Sequence, residues 1–229
     1  MSAAVRYLHP VDANASRSGS GPSDAALVIA ARAKEPWAMH ALFQRHAPMM
    51  NGLAYRLLGR DAEVDDVVQE SFVQALDHLD SLKEPQAFAA WIGSIVVRTV
   101  SKLLRRRKLL SRLGLRRNDE PIDVDSLIGH TAPPDAAAEL RAIYAKIDRM
   151  PVDVRVPLLL RRVEGLPLEE IAERTGKSLA TVKRRITEGE RALLGATAEE
   201  SGQRPATTST TSTTSTTSTT STTRIGRGR

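Results

Sequence analysis

The sequence predicts an all-α fold: two small helical domains joined by a flexible linker, the second ending in a helix-turn-helix. Three observations predict it. Apolar residues recur at helical spacing from Ala26 to Leu103 and again from Leu140 to Leu193, with no alternating strand pattern of useful length. Between the two stretches the charge changes sign and prolines gather. Near the end, the run from Pro167 to Ile186 reads as two short helices around a tight corner.

Residues 1–22 are rich in Ser, Gly, Ala and Asn without an apolar period, and are expected to be disordered. From Ser23 a first helix carries Ala26, Leu27, Ile29, Ala30 and Ala33 and stops near Lys34-Glu35-Pro36. Trp37, Ala41, Leu42, Leu53, Ala54 and Leu57 mark further helical packing, expected to be interrupted at Pro48 and closed at Gly59. Asp61 reads as the cap of the next helix, whose apolar stripe is Val64, Val67, Val68, Phe72, Ala75, Leu76 and Leu79. A break at Ser81–Pro85 leads into a helix bearing Phe88, Trp91, Ile92, Ile95, Val96, Val100 and Leu103.

That helix runs into Arg105-Arg106-Arg107-Lys108, and every charge from Arg98 to Arg117 is positive. Such a block suits a solvated or polyanion-facing surface rather than a core. The linker, residues 113–136, then carries Asp119, Glu120, Asp123 and Asp125 among Pro121, Gly129, Pro133 and Pro134. Leu140, Ile143, Tyr144, Ile147 and Met150 begin the second domain, followed past Pro151 by Val154, Leu158, Leu159 and Val163. The domain boundaries read as 23–112 and 137–196. Residues 197–229 form a tail of repeated Thr-Thr-Ser, expected to be disordered because it has too little apolar surface to offset its chain entropy.

The helix-turn-helix is the most informative segment. Leu168, Ile171 and Ala172 face inward on its first helix, and Gly176 supplies the left-handed conformation of the corner. Ser178 suits the N-cap of the second helix, with Val182, Ile186 and Leu193 on the inward face. Thr181, Lys183, Arg184 and Arg185 are left outside, where basic side chains reach phosphates and base edges of a major groove. A charged helical hairpin without DNA would show the same pattern.

Composition favours a polyanionic partner: 33 Lys+Arg against 27 Asp+Glu in 229 residues give a net charge of +6. Aromatics are only 3%, so the core is expected from Leu, Ile, Val and Ala. The chain has no cysteine, which excludes disulfides and thiolate metal sites and fits a reducing compartment. No segment is expected to reach the roughly 18 apolar residues that would span a membrane, and Arg6, His9, Asp12 and Arg17 break up any signal-peptide core. The cytoplasm is the expected location, with no membrane insertion. His40, His46 and His78 form no ligand cluster with Asp61, Asp65, Asp66 and Glu70, so no metal and no cofactor are expected, and neither is enzymatic activity.

Two further motifs carry a resemblance. Asp61-Ala62-Glu63-Val64-Asp65-Asp66-Val67-Val68-Gln69-Glu70-Ser71-Phe72 is followed by Phe88-Ala89-Ala90-Trp91-Ile92. Later come Glu164-Gly165-Leu166-Pro167-Leu168-Glu169-Glu170-Ile171-Ala172 and Thr181-Val182-Lys183. In this order and spacing the chain resembles the extracytoplasmic-function (ECF) group of bacterial sigma factors, over roughly residues 24–110 and 137–195. The resemblance implies a factor that directs RNA polymerase core to promoters and assists their melting. Its partners are then the clamp helices and flap of the polymerase, promoter DNA, and an anti-sigma factor.

It further implies that Asp61, Asp65, Asp66, Gln69 and Glu70 meet the polymerase, although the same acids also suit a solvated face. Asp80, Ser81, Lys83 and Gln86 would read a single-stranded −10 base, and Arg98, Lys102, Arg105 and Arg106 would hold phosphates nearby. Lys177, Ser178, Thr181, Lys183, Arg184 and Arg185 would engage the −35 element. The acidic linker would mimic nucleic acid inside the polymerase. Trp91 fits either base stacking or the core, its spacing to Phe88 and Ile95 favouring the core. The chain departs from the family pattern at Arg98 and Lys102, where an Asn and an acid are usual. It departs again at Glu188-Gly189-Glu190, where Arg-Ala-Arg is usual and where two acids reduce phosphate attraction. The rival reading is a stand-alone helix-turn-helix regulator, which has no use for the acidic helix or the Phe88–Trp91 block.

Overall fold

The computed structural model describes residues 21–59, 62–115 and 134–200. Asp61, the linker acids Asp119, Glu120, Asp123 and Asp125, nearly all of the N-terminal segment and the Thr/Ser repeats lie outside the described residues. Every regular element among the described residues is helical.

Helix α1 (Asp24–Arg32) starts where the Ser23 hydroxyl accepts the Ala26 N–H at 3.2 Å. It ends at Lys34, whose φ of 64° lies in the left-handed region. Helix α2 (Pro36–Leu58) opens with Pro36 in its first turn and closes on Gly59, left-handed at φ 72°. It runs unbroken through Pro48, against the sequence expectation of an interruption there. Pro48 sits on the exposed side of α2, and so does Gln44, whose carbonyl loses its helical partner and faces water instead. Trp37, read from sequence as part of the packing, is 54% exposed.

Helix α3 (Val64–Asp77) begins after a turn at Ala62–Glu63, with Glu63 rather than Asp61 in the N-cap position and no side-chain cap. Two short 3-10 turns, Leu79–Ser81 and Pro85–Ala87, lead into α4 (Phe88–Arg112). Helix α2 packs against α1, α3 and α4, and α3 lies along α4. The segment Pro85–Arg112 does contain an 18-residue window apolar enough to cross a membrane by length and composition, with mean hydropathy 1.4, contrary to the sequence expectation. More than half of that window is buried within the protein, because Phe88, Ile92, Val96, Val97 and Val100 are the centre of this first helical group.

The second group is α5 (Pro134–Arg149), α6 (Val152–Arg162), α7 (Leu168–Thr175) and α8 (Leu179–Glu200). Helix α5 starts at Pro134, within the stretch read from sequence as linker, and α8 continues past residue 196 to Glu200. Helix α8 packs on α5, α6 and α7, around buried Leu140, Tyr144, Leu158, Ile171, Val182 and Ile186. The two groups also touch each other, α7 and α6 lying on α4 and α6 on α2.

Candidate nucleic-acid and polymerase interfaces

The acid-bearing side of α3 follows from its period. Val64, Val67, Val68, Phe72 and Ala75 are buried, which turns Asp65, Asp66, Gln69 and Glu70 to solvent. Asp65 and Asp66 occupy the first turn, where a carboxylate opposes the positive end of the helix dipole. Glu70 accepts a hydrogen bond from Gln74 Nε2 at 3.0 Å. Four of the five residues read as polymerase-binding thus share one exposed face; the fifth, Asp61, is outside the described residues.

The loop between α3 and α4 hangs on two apolar anchors, Leu79 and Leu82, both buried. Asp80, Ser81, Lys83 and Gln86 are exposed around them. Ser81 Oγ donates to the His78 carbonyl at 2.7 Å. Arg32, on α1, was invisible to sequence reasoning here: its guanidinium donates to the Leu79 carbonyl at 3.2 and 3.3 Å and to the Leu82 carbonyl. No local signal reveals a partner 47 residues away. Beside the loop is a cavity of about 290 Å³ lined by Gln74, His78, Ser81, Trp91, Ile95 and Arg98. Trp91 is half-buried, tilted against Phe88 at a ring separation of 6.1 Å, and forms a wall of this cavity as well as a lid on the core.

The basic end of α4 splits by face. Arg98, Lys102, Arg105 and Arg106 are exposed, and Arg98 Nε donates to the Ser94 carbonyl at 3.0 Å. Arg107 departs from the all-solvated reading of this block: it is 5% exposed and ion-paired with Glu63 at the start of α3. A buried guanidinium needs such an opposite charge.

In the helix-turn-helix, Gly176 caps α7 at φ 63°, and Lys177 N–H closes the turn on the Ala172 carbonyl at 3.0 Å. Ser178 Oγ accepts the Thr181 N–H at 3.3 Å and lies 2.9 Å from the Thr181 hydroxyl, starting α8. With Val182 and Ile186 buried, Lys183 and Arg184 are exposed, whereas Thr181 and Arg185 are half-buried on the flank toward α4. The two acids and the glycine of the unusual Glu188-Gly189-Glu190 stretch find local explanations. Glu188 pairs with Arg185 at 2.9 Å, and Glu190 pairs with Arg162 of α6. Gly189 faces inward, a Cβ there lying 2.9 Å from Leu158 Cδ2 and 3.1 Å from Val154 Cγ1.

Arg98 and Arg105 of α4 share a cleft of about 210 Å³ with Asp153, Lys177, Thr181 and Arg185 of the second group. Arg105 Nη2 donates to Asp153 Oδ1 at 2.8 Å. That hydrogen bond, against a smaller opposing effect of burial, holds the Asp153 carboxyl below its ordinary range, with the charges of Arg105, Lys177 and Arg185 adding to it. Among the described residues no group of three or more His, Asp or Glu could hold a metal ion.

Comparison with known proteins accounts for both helical groups. The family model for sigma-70 region 2 matches residues 42–109, and that for sigma-70 region 4 matches residues 140–193. The chain is 31% identical over 170 residues to the ECF RNA polymerase sigma-E factor of Haemophilus influenzae, covering 72% of this chain and 89% of the relative. It is 29% identical to the ECF sigma factor SigE of Mycolicibacterium smegmatis, over 71% of this chain and 62% of that protein. Its fold is similar to that of CnrH, solved in complex with the cytosolic domain of CnrY, with a TM-score of 0.53 and 24% identity over 78% of this chain and 99% of CnrH. The fold of the Bartonella quintana sigma factor RpoE, solved with the anti-sigma factor NepR, matches at a TM-score of 0.50 and 18% identity, over 68% of this chain and 94% of that one. A stand-alone regulator would need only the second of these groups, and the chain belongs to the extracytoplasmic-function sigma factors of RNA polymerase.

Proposed function

We propose that this sigma factor divides promoter recognition among four surfaces, with residues 23–112 as the polymerase- and −10-binding domain and residues 137–196 as the −35-binding domain. Asp61, Asp65, Asp66, Gln69 and Glu70 offer acceptors to a basic surface on the polymerase clamp. Asp80, Ser81, Lys83 and Gln86 read a −10 base taken out of the stack, with the cavity beside Trp91 as its receptor. Arg98, Lys102, Arg105 and Arg106 hold backbone phosphates next to the melted segment, a contribution that depends on salt and not on sequence. Lys177, Ser178, Thr181, Lys183, Arg184 and Arg185 engage the −35 duplex, and the second domain also meets the polymerase flap.

The observation that carries this reading is the separation of charge: the outer side of α3 from Asp65 to Glu70 bears acids, while α4 from Arg98 to Arg112 bears only cations. One surface then suits a basic protein and the other a polyanion. The factor works without chemistry of its own, in the cytoplasm where polymerase and promoters are. An anti-sigma factor is the regulatory partner, by analogy with the complexes in which CnrH and the Bartonella protein were solved. Run-off transcription with purified core polymerase on templates with randomised promoters tests the whole assignment. The wild-type chain is expected to select a defined pair of elements. Absence of factor-dependent transcripts from a folded preparation would overturn it.

A further inference from the structure

We infer that Arg32, the last residue of α1, is a positioning residue for the −10-reading loop: its guanidinium fixes the backbone on either side of Asp80 and Ser81, and through it the base preference of the loop. The inference rests on the −10 role proposed above for these residues. Burial of Leu79 and Leu82 sets how deep the loop sits, but apolar burial has no direction and leaves the rotation of the loop open. The loop's own backbone hydrogen bonds are short-range. Ser81 and Leu82 N–H donate to the carbonyls of His78 and Leu79 at 2.9 and 3.2 Å, and Ala87 N–H donates to that of Glu84 at 2.9 Å. Each shapes one turn without orienting it on the domain.

Arg32 supplies the orientation. Its Nε and Nη2 donate to the Leu79 carbonyl at 3.3 and 3.2 Å, and Nη2 donates to the Leu82 carbonyl as well. These two carbonyls bracket Asp80 and Ser81, both exposed. A planar guanidinium holds its acceptors at a set distance and angle, so the segment between them has one presentation. Asp80 Oδ1 stands 3.9 Å from the same Nε, with its side chain 90% exposed, so the cation also steadies a reader directly.

The placement of α1 brings Arg32 there. Leu27, Val28 and Ala31 are buried, and α1 packs against both 3-10 turns, Leu79–Ser81 and Pro85–Ala87. An arginine on paired carbonyls is not functional by itself. Arg155 of α6, 3% exposed, donates through Nη2 to the carbonyls of Leu57 and Leu58 at 2.9 and 3.1 Å, at the end of α2, where none of the proposed readers lies. At Arg32 the paired carbonyls enclose two of the four −10 readers, and Lys83 follows directly. Its donors are turned onto the protein, which makes it a holder of the loop and not a phosphate contact.

Holoenzyme assembled from core polymerase and each variant is put through selection on promoter templates randomised at the −10 and −35 elements. Arg32→Gln is expected to lower the ratio of best to worst base at one or two −10 positions by at least about fivefold. Preference at −35, affinity for core and the log–log salt slope are expected to stay as in wild type. Arg32→Lys keeps the charge without the fork and is expected to recover only part of the ratio; should Arg32→Gln not fold, this shortfall is the readout. Arg45→Gln is the structural control. Arg45 of α2 holds the opposite end of α1, donating to Asp24 at 2.7 Å and to the Pro22 carbonyl at 2.8 Å, so its loss is expected to lower the melting temperature and spare the −10 preference. Undiminished −10 preference in Arg32→Gln overturns the positioning role alone, as does equal relaxation by Arg45→Gln or full recovery in Arg32→Lys. A salt slope smaller by nearly one unit makes Arg32 a phosphate contact and overturns it too. Wild-type holoenzyme indifferent to every −10 base overturns the −10 reading of the loop, and the inference with it.

Discussion

Converting Asp65 and Asp66 to lysine should weaken binding to core polymerase by an amount that the structure bounds. Both carboxylates are exposed on α3, so each ion pair they make at a partner's surface is worth about 0.2–1 kcal/mol. Reversal replaces two attractions by two repulsions, a change of about 1–4 kcal/mol, or roughly five- to nearly a thousand-fold in Kd. The effect should shrink with added salt, as the screening length falls from about 10 Å at 0.1 M to about 3 Å at 1 M. The substitution also has a cost in stability. Both acids sit in the first turn of α3, where each favourable dipole interaction is worth about 0.3–1 kcal/mol, so thermal unfolding should occur earlier by a corresponding few degrees. The assay is titration of labelled protein with core polymerase at two salt concentrations, beside circular dichroism melting. Asp135→Lys/Glu139→Lys, exposed on α5, makes the same change in net charge elsewhere. Equal loss from both pairs would reduce the effect to net charge, and undiminished binding by a folded Asp65→Lys/Asp66→Lys variant would refute the assignment of α3.

Gly189→Ala should lower stability in urea by up to about 2 kcal/mol, because overpacking against Leu158 and Val154 outweighs the roughly 1 kcal/mol gained in helix propensity; a gain in stability would refute the inward placement. Burial, acting against the nearby charges of Arg56 and Arg155, pushes the Tyr144 phenol up to about 12. The unfolded chain then releases this proton near pH 10 while the folded one retains it, so stability falls as pH rises from about 10 to 12, by about 2–3 kcal/mol. Phenolate absorbance should show one of the three tyrosines titrating only with unfolding, and three ordinary titrations in an intact fold would contradict it. Replacing Lys102 and Arg106 with alanine should reduce the log–log salt slope of holoenzyme binding to promoter DNA by nearly one unit per lost contact, and an unchanged slope would mean both are merely solvated. Selection from a library randomised at the −35 element should show Arg184→Ala relaxing one base pair by about 1–3 kcal/mol, with Lys183→Ala lowering binding to all sequences alike; the reverse pattern would show that α8 enters the groove in another rotation.

Much of the fold is written in short-range signals. Gly59 and Gly176 close their helices in the left-handed conformation, Ser178 caps α8, and the stripe from Val64 to Ala75 turns α3 correctly. These depend on residues within a turn or two of each other, which is the range that periodicity and capping report. Pro48 misled because its effect depends on where the helix faces: on a solvated side, water replaces the missing backbone partner. Arg107 looked like its neighbours in sequence and differs only in meeting Glu63. Arg32 on the loop, Arg155 on α2 and Arg174 on Gly93 join residues far apart in the chain. No window of sequence contains both members of such a pair, so the positioning of the loop and the contact between the domains were not legible. Gly189 falls three residues beyond Ile186 and seven beyond Val182, on the same buried face, a placement that the two flanking acids obscure.

Arg155 has a consequence for how far this protein can be taken apart. The last carbonyls of a helix ordinarily look to their own chain segment or to water, yet α2 has those of Leu57 and Leu58 served by a side chain nearly a hundred residues later. The first domain is therefore finished by the second. A hybrid joining this first domain to the second domain of a relative would inherit the two matched regions and still leave the end of α2 incomplete, unless the incoming helix brought a long cation to the same spot. Interchangeability between such factors is then limited by a single guanidinium outside every surface proposed to meet DNA.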